Sequence, residues 1–146
     1  MDAFMPNVSL EGYQIVRGTY FKHQNPPMMT IWKQSVSFNN VSIEMLNNCE
    51  CIQLMCNDNN RCILICPASS NDKDAVVWKS NSAVPPRYRK MDCTNFSRPL
   101  LERWQFDLAY RYRAYGRLVQ ADKKVMLLFD FREAEIWDGK RIKEHV

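Results

Sequence analysis

At 146 residues, with 46% apolar and 25% charged side chains, the chain has room for one domain with a sizeable core, and two would be cramped. Four glycines and seven prolines exclude a disordered or low-complexity protein. The net charge of +4 is too small for a protein that coats nucleic acid through overall charge, so any electrostatic binding has to come from a local patch.

The N-terminus, Met1-Asp2-Ala3-Phe4-Met5, carries an acid and no basic segment, and no apolar run is long enough for a signal-peptide core or a membrane helix. The expectation is a cytoplasmic protein with no membrane partner, whose six cysteines stay reduced. Residues Tyr13 to Tyr20 read as a first strand, followed by a proline-containing connection, His23 to Pro27. Met29 to Phe38 is rich in Thr, Ile, Trp, Val and Phe and reads as one extended strand.

Asn39 or Asn40 then caps a short helix carrying Val41, Ile43, Met45 and Leu46, and Asn47-Asn48 stops it. Two apolar runs, Cys51–Cys56 and Arg61–Cys66, flank Asn57-Asp58-Asn59-Asn60. Asn and Asp tolerate left-handed backbone, so this is a hairpin signal. Pro67 is expected to end the second strand because it lacks a ladder amide. A polar loop, Ser69 to Asp74, leads into Ala75–Trp78, and Ser80 to Pro86 is the best linker. It marks a subdivision of a single 1–146 domain into 1–79 and 87–146.

Beyond it, Thr94 or Ser97 caps a helix carrying Leu100, Leu101, Trp104 and Phe106, with Arg98 and Arg103 on its exposed side. Tyr110–Val119 and Lys124–Phe131 read as strands joined at Asp122-Lys123, the second almost wholly apolar and therefore central. The last ten residues are mixed, with a charged tail. The fold class that follows is α+β: a mostly antiparallel sheet with two short helices, in which a strand–helix–hairpin unit precedes a basic helix–strand–strand unit.

The charge is localised. Residues 87–120 hold eight Lys+Arg against three Asp+Glu, while the flanking parts balance to −1 and zero. In a strand, Arg111, Arg113, Tyr115 and Arg117 project on one face, with Tyr110, Tyr112, Ala114 and Leu118 on the other. Arginine grips phosphate with paired donors and stacks on bases, and tyrosine offers a stacking face for unpaired bases. Nucleic acid is therefore the expected partner, with Arg111, Arg113, Tyr115 and Arg117 as the contact row and Arg87, Arg89 and Lys90 as a mobile second contact. Arginine stems that merely cover apolar surface give the bland alternative.

Catalytic signals are lacking. His23 and His145 have no recognisable orienting partner, and the chain holds no G-x-S-x-G, P-loop or G-x-G-x-x-G. Asp130, at the end of a central strand, is the one carboxylate that stands out; Asp72, Asp74, Glu133 and Glu135 read as solvated. Cys49 and Cys51, Cys62 and Cys66, and the single Cys56 and Cys93 lie mostly in apolar runs and read as core residues rather than zinc ligands. No cofactor or metal is expected. The four tryptophans are too evenly spread to mark a ligand cage and read as core or small-interface residues.

Several phrases together, Ile31-Trp32 through Ser37-Phe38-Asn39, Leu46-Asn47-Asn48, Ile52-Gln53-Leu54, Ser69 to Trp78, and Gly116 to Gln120 leading to Leu127 to Phe131, resemble a family of uncharacterised proteins of Gram-positive gut bacteria met near integrative or phage-like elements. The resemblance spans most of residues 29–137 and implies DNA-related biology without supplying catalytic residues. No tyrosine-recombinase pattern of Arg and His around a Tyr is present. The function expected is that of a non-enzymatic nucleic-acid-binding or accessory protein of a bacterial mobile element. The alternative is a protein–protein module, homodimeric, in which the arginines meet an acidic partner.

Overall fold

Apolar runs rich in Ile, Val and Leu form the strands, and the polar turns between them set the order. The computed structural model describes residues 5–17, 25–80, 87, 88, 90–139 and 141–145, with the backbone alone for 87, 88, 141, 144 and 145. Strands β1 (Met28–Trp32) and β2 (Ser35–Phe38) lead to helix α1 (Asn40–Met45), then β3 (Cys51–Asn57), β4 (Cys62–Ala68), β5 (Val76–Val77) and β6 (Lys79–Ser80). After β7 (Arg87–Tyr88) and β8 (Met91–Asp92) come α2 (Thr94–Arg103), β9 (Arg111–Ala121), β10 (Lys124–Asp130), a single 3-10 turn at Phe131–Glu133, β11 (Glu135–Asp138) and β12 (Arg141–His145).

Ten of these strands form one curled, half-barrel sheet in the order β5-β3-β4-β10-β9-β1-β2-β8, with β11 pairing β9 and β12 pairing β11, while β6 and β7 pair separately. Every pairing among the described residues is antiparallel. The architecture is thus broadly α+β, dominated by antiparallel sheet with two helices. β10 sits centrally, as its apolar run implies, and Leu127, Phe129 and, just beyond the strand, Phe131 are fully buried. The ladders β4–β10 and β1–β9 join strands from before and after the linker.

The core is aromatic. Phe38 meets Trp78 and Phe129 edge-on at 5.2 and 5.9 Å, and Trp104 tilts onto Phe131 at 5.7 Å. Phe106 stacks on Tyr112 at 4.4 Å. Such pairs add about 0.5–1.5 kcal/mol each beyond the area they bury. Leu100, Leu101 and Trp104 of the α2 end close this core as a buried stripe.

The hairpin at Asn57–Asn60 forms as the sequence implies, with Arg61 at φ 50°. Asn39 caps α1, and Asn47 and Asn48 stop it at φ 57° and 56°. Asp122 and Lys123, both at positive φ, turn β9 into β10. Other expectations need correction. Tyr13–Arg17 is exposed and in no strand, and residues 18–20 lie outside those described. Met29–Phe38 is a tight hairpin, bent at Lys33-Gln34, because Trp32 pairs Ser35.

β4 continues through Pro67 to Ala68. β10 has left its flank by then, since that ladder begins at Leu127 opposite Ile65, and Pro67 pairs Ile52 on β3. Helix α2 starts after Cys93 with no side-chain cap, while Ser97 is buried inside it against the Cys93 sulfur at 3.2 Å. It ends before Phe106: Gln105 takes φ 60°, and its N–H and that of Phe106 return to Glu102 and Leu101. The mixed C-terminus holds the β11–β12 hairpin, turned at Gly139. Of the linker, Ser80 belongs to β6 and residues 81–86 lie outside those described.

Candidate nucleic-acid interface on the outer face of the sheet

Alternation along β9 sends Tyr112 and Ala114 into the core and leaves Arg111, Arg113, Tyr115 and Arg117 on the outer face. Register supplies their neighbours. β1 places Thr30 opposite Arg113, and β11 places Glu135 opposite Arg113 and Trp137 opposite Arg111. The Arg111 guanidinium lies 4.7 Å from the Trp32 ring centre, and that of Arg113 lies 4.4 Å from the Trp137 ring centre. A cation over indole gains about 0.5–2 kcal/mol, depending on its desolvation, and holds a long side chain in one place.

Polar bonds fix the same residues. Arg113 donates Nε–H to Thr30 Oγ1 at 3.1 Å. Glu135 Oε1 accepts from the Tyr115 hydroxyl at 2.9 Å and from the Trp137 indole N–H at 3.0 Å. Burial raises the Tyr115 phenol above its ordinary pKa, and the Glu135 carboxylate that it serves as donor raises it further. The phenol is thus held protonated as a donor.

Farther along β9, Arg117 pairs in register with Leu128 and borders a depression of about 480 Å³ that also takes in Leu64, Asn57, Asn60 and Asp130. Asp130 caps the 3-10 turn and binds Arg132 through both oxygens, at 3.0 and 2.7 Å. The hydrogen bonds from Arg132 hold its carboxyl below the ordinary range. Asp130 thereby acts as a turn cap and ion-pair partner. Among these residues four guanidinium groups (Arg111, Arg113, Arg117, Arg132) stand against two carboxylates (Glu135, Asp130).

The remaining predicted contacts fall elsewhere. Lys90 is exposed and lines a cleft at β8, three strands from β9. Arg87 contributes backbone to β7, paired with Ser80, and Arg89 lies outside the described residues. Among the cysteines, Cys51, Cys62 and Cys66 are buried, Cys49 and Cys93 half-buried and Cys56 exposed, all of them free. Burial pushes the Cys49, Cys62 and Cys93 thiols up, and partial desolvation together with the neighbouring Asp58 raises that of the more open Cys56. Sequence reasoning missed Trp32, Trp137, Thr30 and Glu135. Trp78 and Trp104 are core residues, whereas Trp32 and Trp137 flank the arginine row. The even parity of Thr30 and Trp32 within one strand was the available signal.

Neither a family model, nor a curated protein, nor a solved structure matches this chain. No helix among the described residues is long and apolar enough to cross a membrane.

Proposed function

We propose that the outer face of β9 binds single-stranded nucleic acid, and that the protein serves a bacterial mobile element as a non-enzymatic accessory factor. The observation that carries this reading is the pair of arginines braced on tryptophans, Arg111 on Trp32 and Arg113 on Trp137. Bracing lowers the side-chain entropy lost when an anion is gripped, and a guanidinium has five donors to share among its partners. From Arg111 to Arg117 the strand covers roughly 20 Å, enough for several nucleotides of an extended strand. Phosphates meet Arg111, Arg113 and Arg117, Tyr115 provides an exposed aromatic face, and the depression beside Arg117 seats a base against Leu64 and Leu128. The mobile-element setting follows only from the resemblance of the sequence phrases named above, which no family model, curated protein or solved structure matches.

The test is a binding titration of the intact chain against single-stranded and duplex DNA and single-stranded RNA at two salt concentrations. Salt-sensitive binding to a single strand, weakened in an Arg111→Ala/Arg113→Ala variant, supports the reading. No binding at low salt sinks it and leaves the arginines as cover for Trp32 and Trp137, with a protein partner as the reading to pursue.

A further inference from the structure

Residues 5–17 expose an unusual number of large apolar side chains. Leu10 is 78% exposed, Tyr13 72% and Ile15 98%, with Val8 and Val16 also largely in water. Single exposed apolar residues are ordinary, but six within thirteen residues, Met5 among them at 83%, mark a segment that calls for a partner. The segment has local order of its own: Tyr13 N–H bonds Leu10 carbonyl at 3.0 Å around Gly12 at φ 85°. Beyond that turn, Tyr13, Ile15 and Arg17 alternate with Gln14 and Val16, a pattern that suits a strand. It belongs to no strand of its own chain.

A receptor for such a strand exists elsewhere in the fold. The strand order ends at β5 on one side and β8 on the other, and among the described residues each pairs with a single neighbour. Both ends line one cleft of about 580 Å³, walled by Val36, Leu54, Val76, Met91 and Phe96. Asp74, Asp92 and Lys90 also line it. Open strand edges offer backbone groups to an added strand, and apolar walls take its alternate side chains. The charges match as well: Arg17 of the arm suits Asp74 or Asp92, and Glu11 suits Lys90.

We propose that the N-terminal arm of one copy docks in the β5–β8 cleft of a second copy, with Tyr13–Arg17 as an added strand, and that the exchange is reciprocal. A second copy is the occupant because the arm's own chain leaves Ile15 almost wholly in water. A two-fold axis closes such an exchange without leaving a free edge to propagate.

The experiment is the mass of the full chain in solution, by light scattering and sedimentation, from low to high micromolar concentration. Wild type is expected to be a dimer. An Ile15→Asp/Val16→Asp variant, altered only at exposed positions, is expected to raise the dissociation constant roughly tenfold or more while keeping the wild-type circular dichroism and melting curve. A wild-type monomer at every concentration, or a dimer indifferent to the double substitution, overturns the proposal. An Ile15→Cys variant under mild oxidation adds a second readout. A cross-link to Cys93 between chains, mapped by peptide mass and lost on Cys93→Ser, supports the exchange. A cross-link within one chain, or a monomer that carries an apolar small molecule in native mass spectrometry, contradicts it.

Discussion

Asp58, in the turn between β3 and β4, accepts the indole N–H of Trp104 at 2.8 Å, 46 residues further along the chain. Its other oxygen takes Arg103 Nε–H at 3.1 Å. One carboxylate therefore ties the tip of a hairpin to the end of α2, where Trp104 is buried against Phe131. Replacing Asp58 by Ala leaves a buried indole donor without its acceptor and lowers the melting temperature, while Asp58→Asn keeps an acceptor and recovers most of the loss. Thermal melts of the two variants check this.

The same carboxyl sets a pH dependence. The Trp104 hydrogen bond, aided by Arg103, holds its pKa below the ordinary value. Asp130, bound by Arg132, is lowered likewise. A group with a depressed folded pKa contributes stability above the unfolded value and loses it as pH falls through the folded value. Stability is thus expected to be flat with respect to these two groups near neutrality and to fall below about pH 4. Denaturant titrations at several pH values check this, and the acid-side fall should be shallower in Asp58→Asn.

Asn39 joins two elements at once. Its Oδ1 accepts from Met28 N–H at 2.9 Å and from Ser42 at both N–H and Oγ, while its amide donates to Pro26 carbonyl at 2.8 Å. Asn39→Ala removes the cap of α1 and the anchor of the β1 start together. A loss of about 1–2 kcal/mol is expected in chemical denaturation.

Gly116 faces Phe129 across the β9–β10 ladder, and a Cβ at that position would lie 2.6 Å from the ring. Phe129 is fully buried and braced by Phe38, so the ring has little room to withdraw. Gly116→Ala is expected to cost about 1–3 kcal/mol by overpacking. Measuring Gly116→Ala in a Phe129→Leu background tests the cause, because the smaller side chain should relieve most of the penalty.

Gln105 holds φ 60° at the end of α2, a conformation that glycine adopts freely. Gln105→Gly is expected to stabilise the fold by roughly 1 kcal/mol, the approximate cost of left-handed backbone for a residue with a Cβ. A rise in the denaturation midpoint with an unchanged slope is the expected signature.

The parts of the fold legible in the sequence are those that rest on local chemistry. Asn57–Asn60 announces its hairpin, Asn39 its helix, and the apolar Val125–Phe129 run its central position. The β1–β2 turn was hidden because Lys33 and Gln34 carry none of the usual turn residues, so two strands read as one. The C-terminal hairpin had a signal in Asp138-Gly139, with Gly139 at φ 62°, that the mixed composition around it obscured. Alternation in β9 placed the arginines on one face. The tryptophans beneath them depend on the register of β1 and β11 against β9, a long-range property that no local pattern encodes.

The most direct test of the central claim is fluorescence anisotropy of a labelled single strand titrated with wild-type protein and the Arg111→Ala/Arg113→Ala variant at low and moderate salt. The account predicts wild-type binding whose logarithmic salt slope is roughly −2, as expected for about three phosphate contacts on a single strand. The double variant should bind more weakly, with a slope shallower by roughly 1–2. Binding that ignores salt, or that survives the double substitution unchanged, would contradict the assignment of the β9 face.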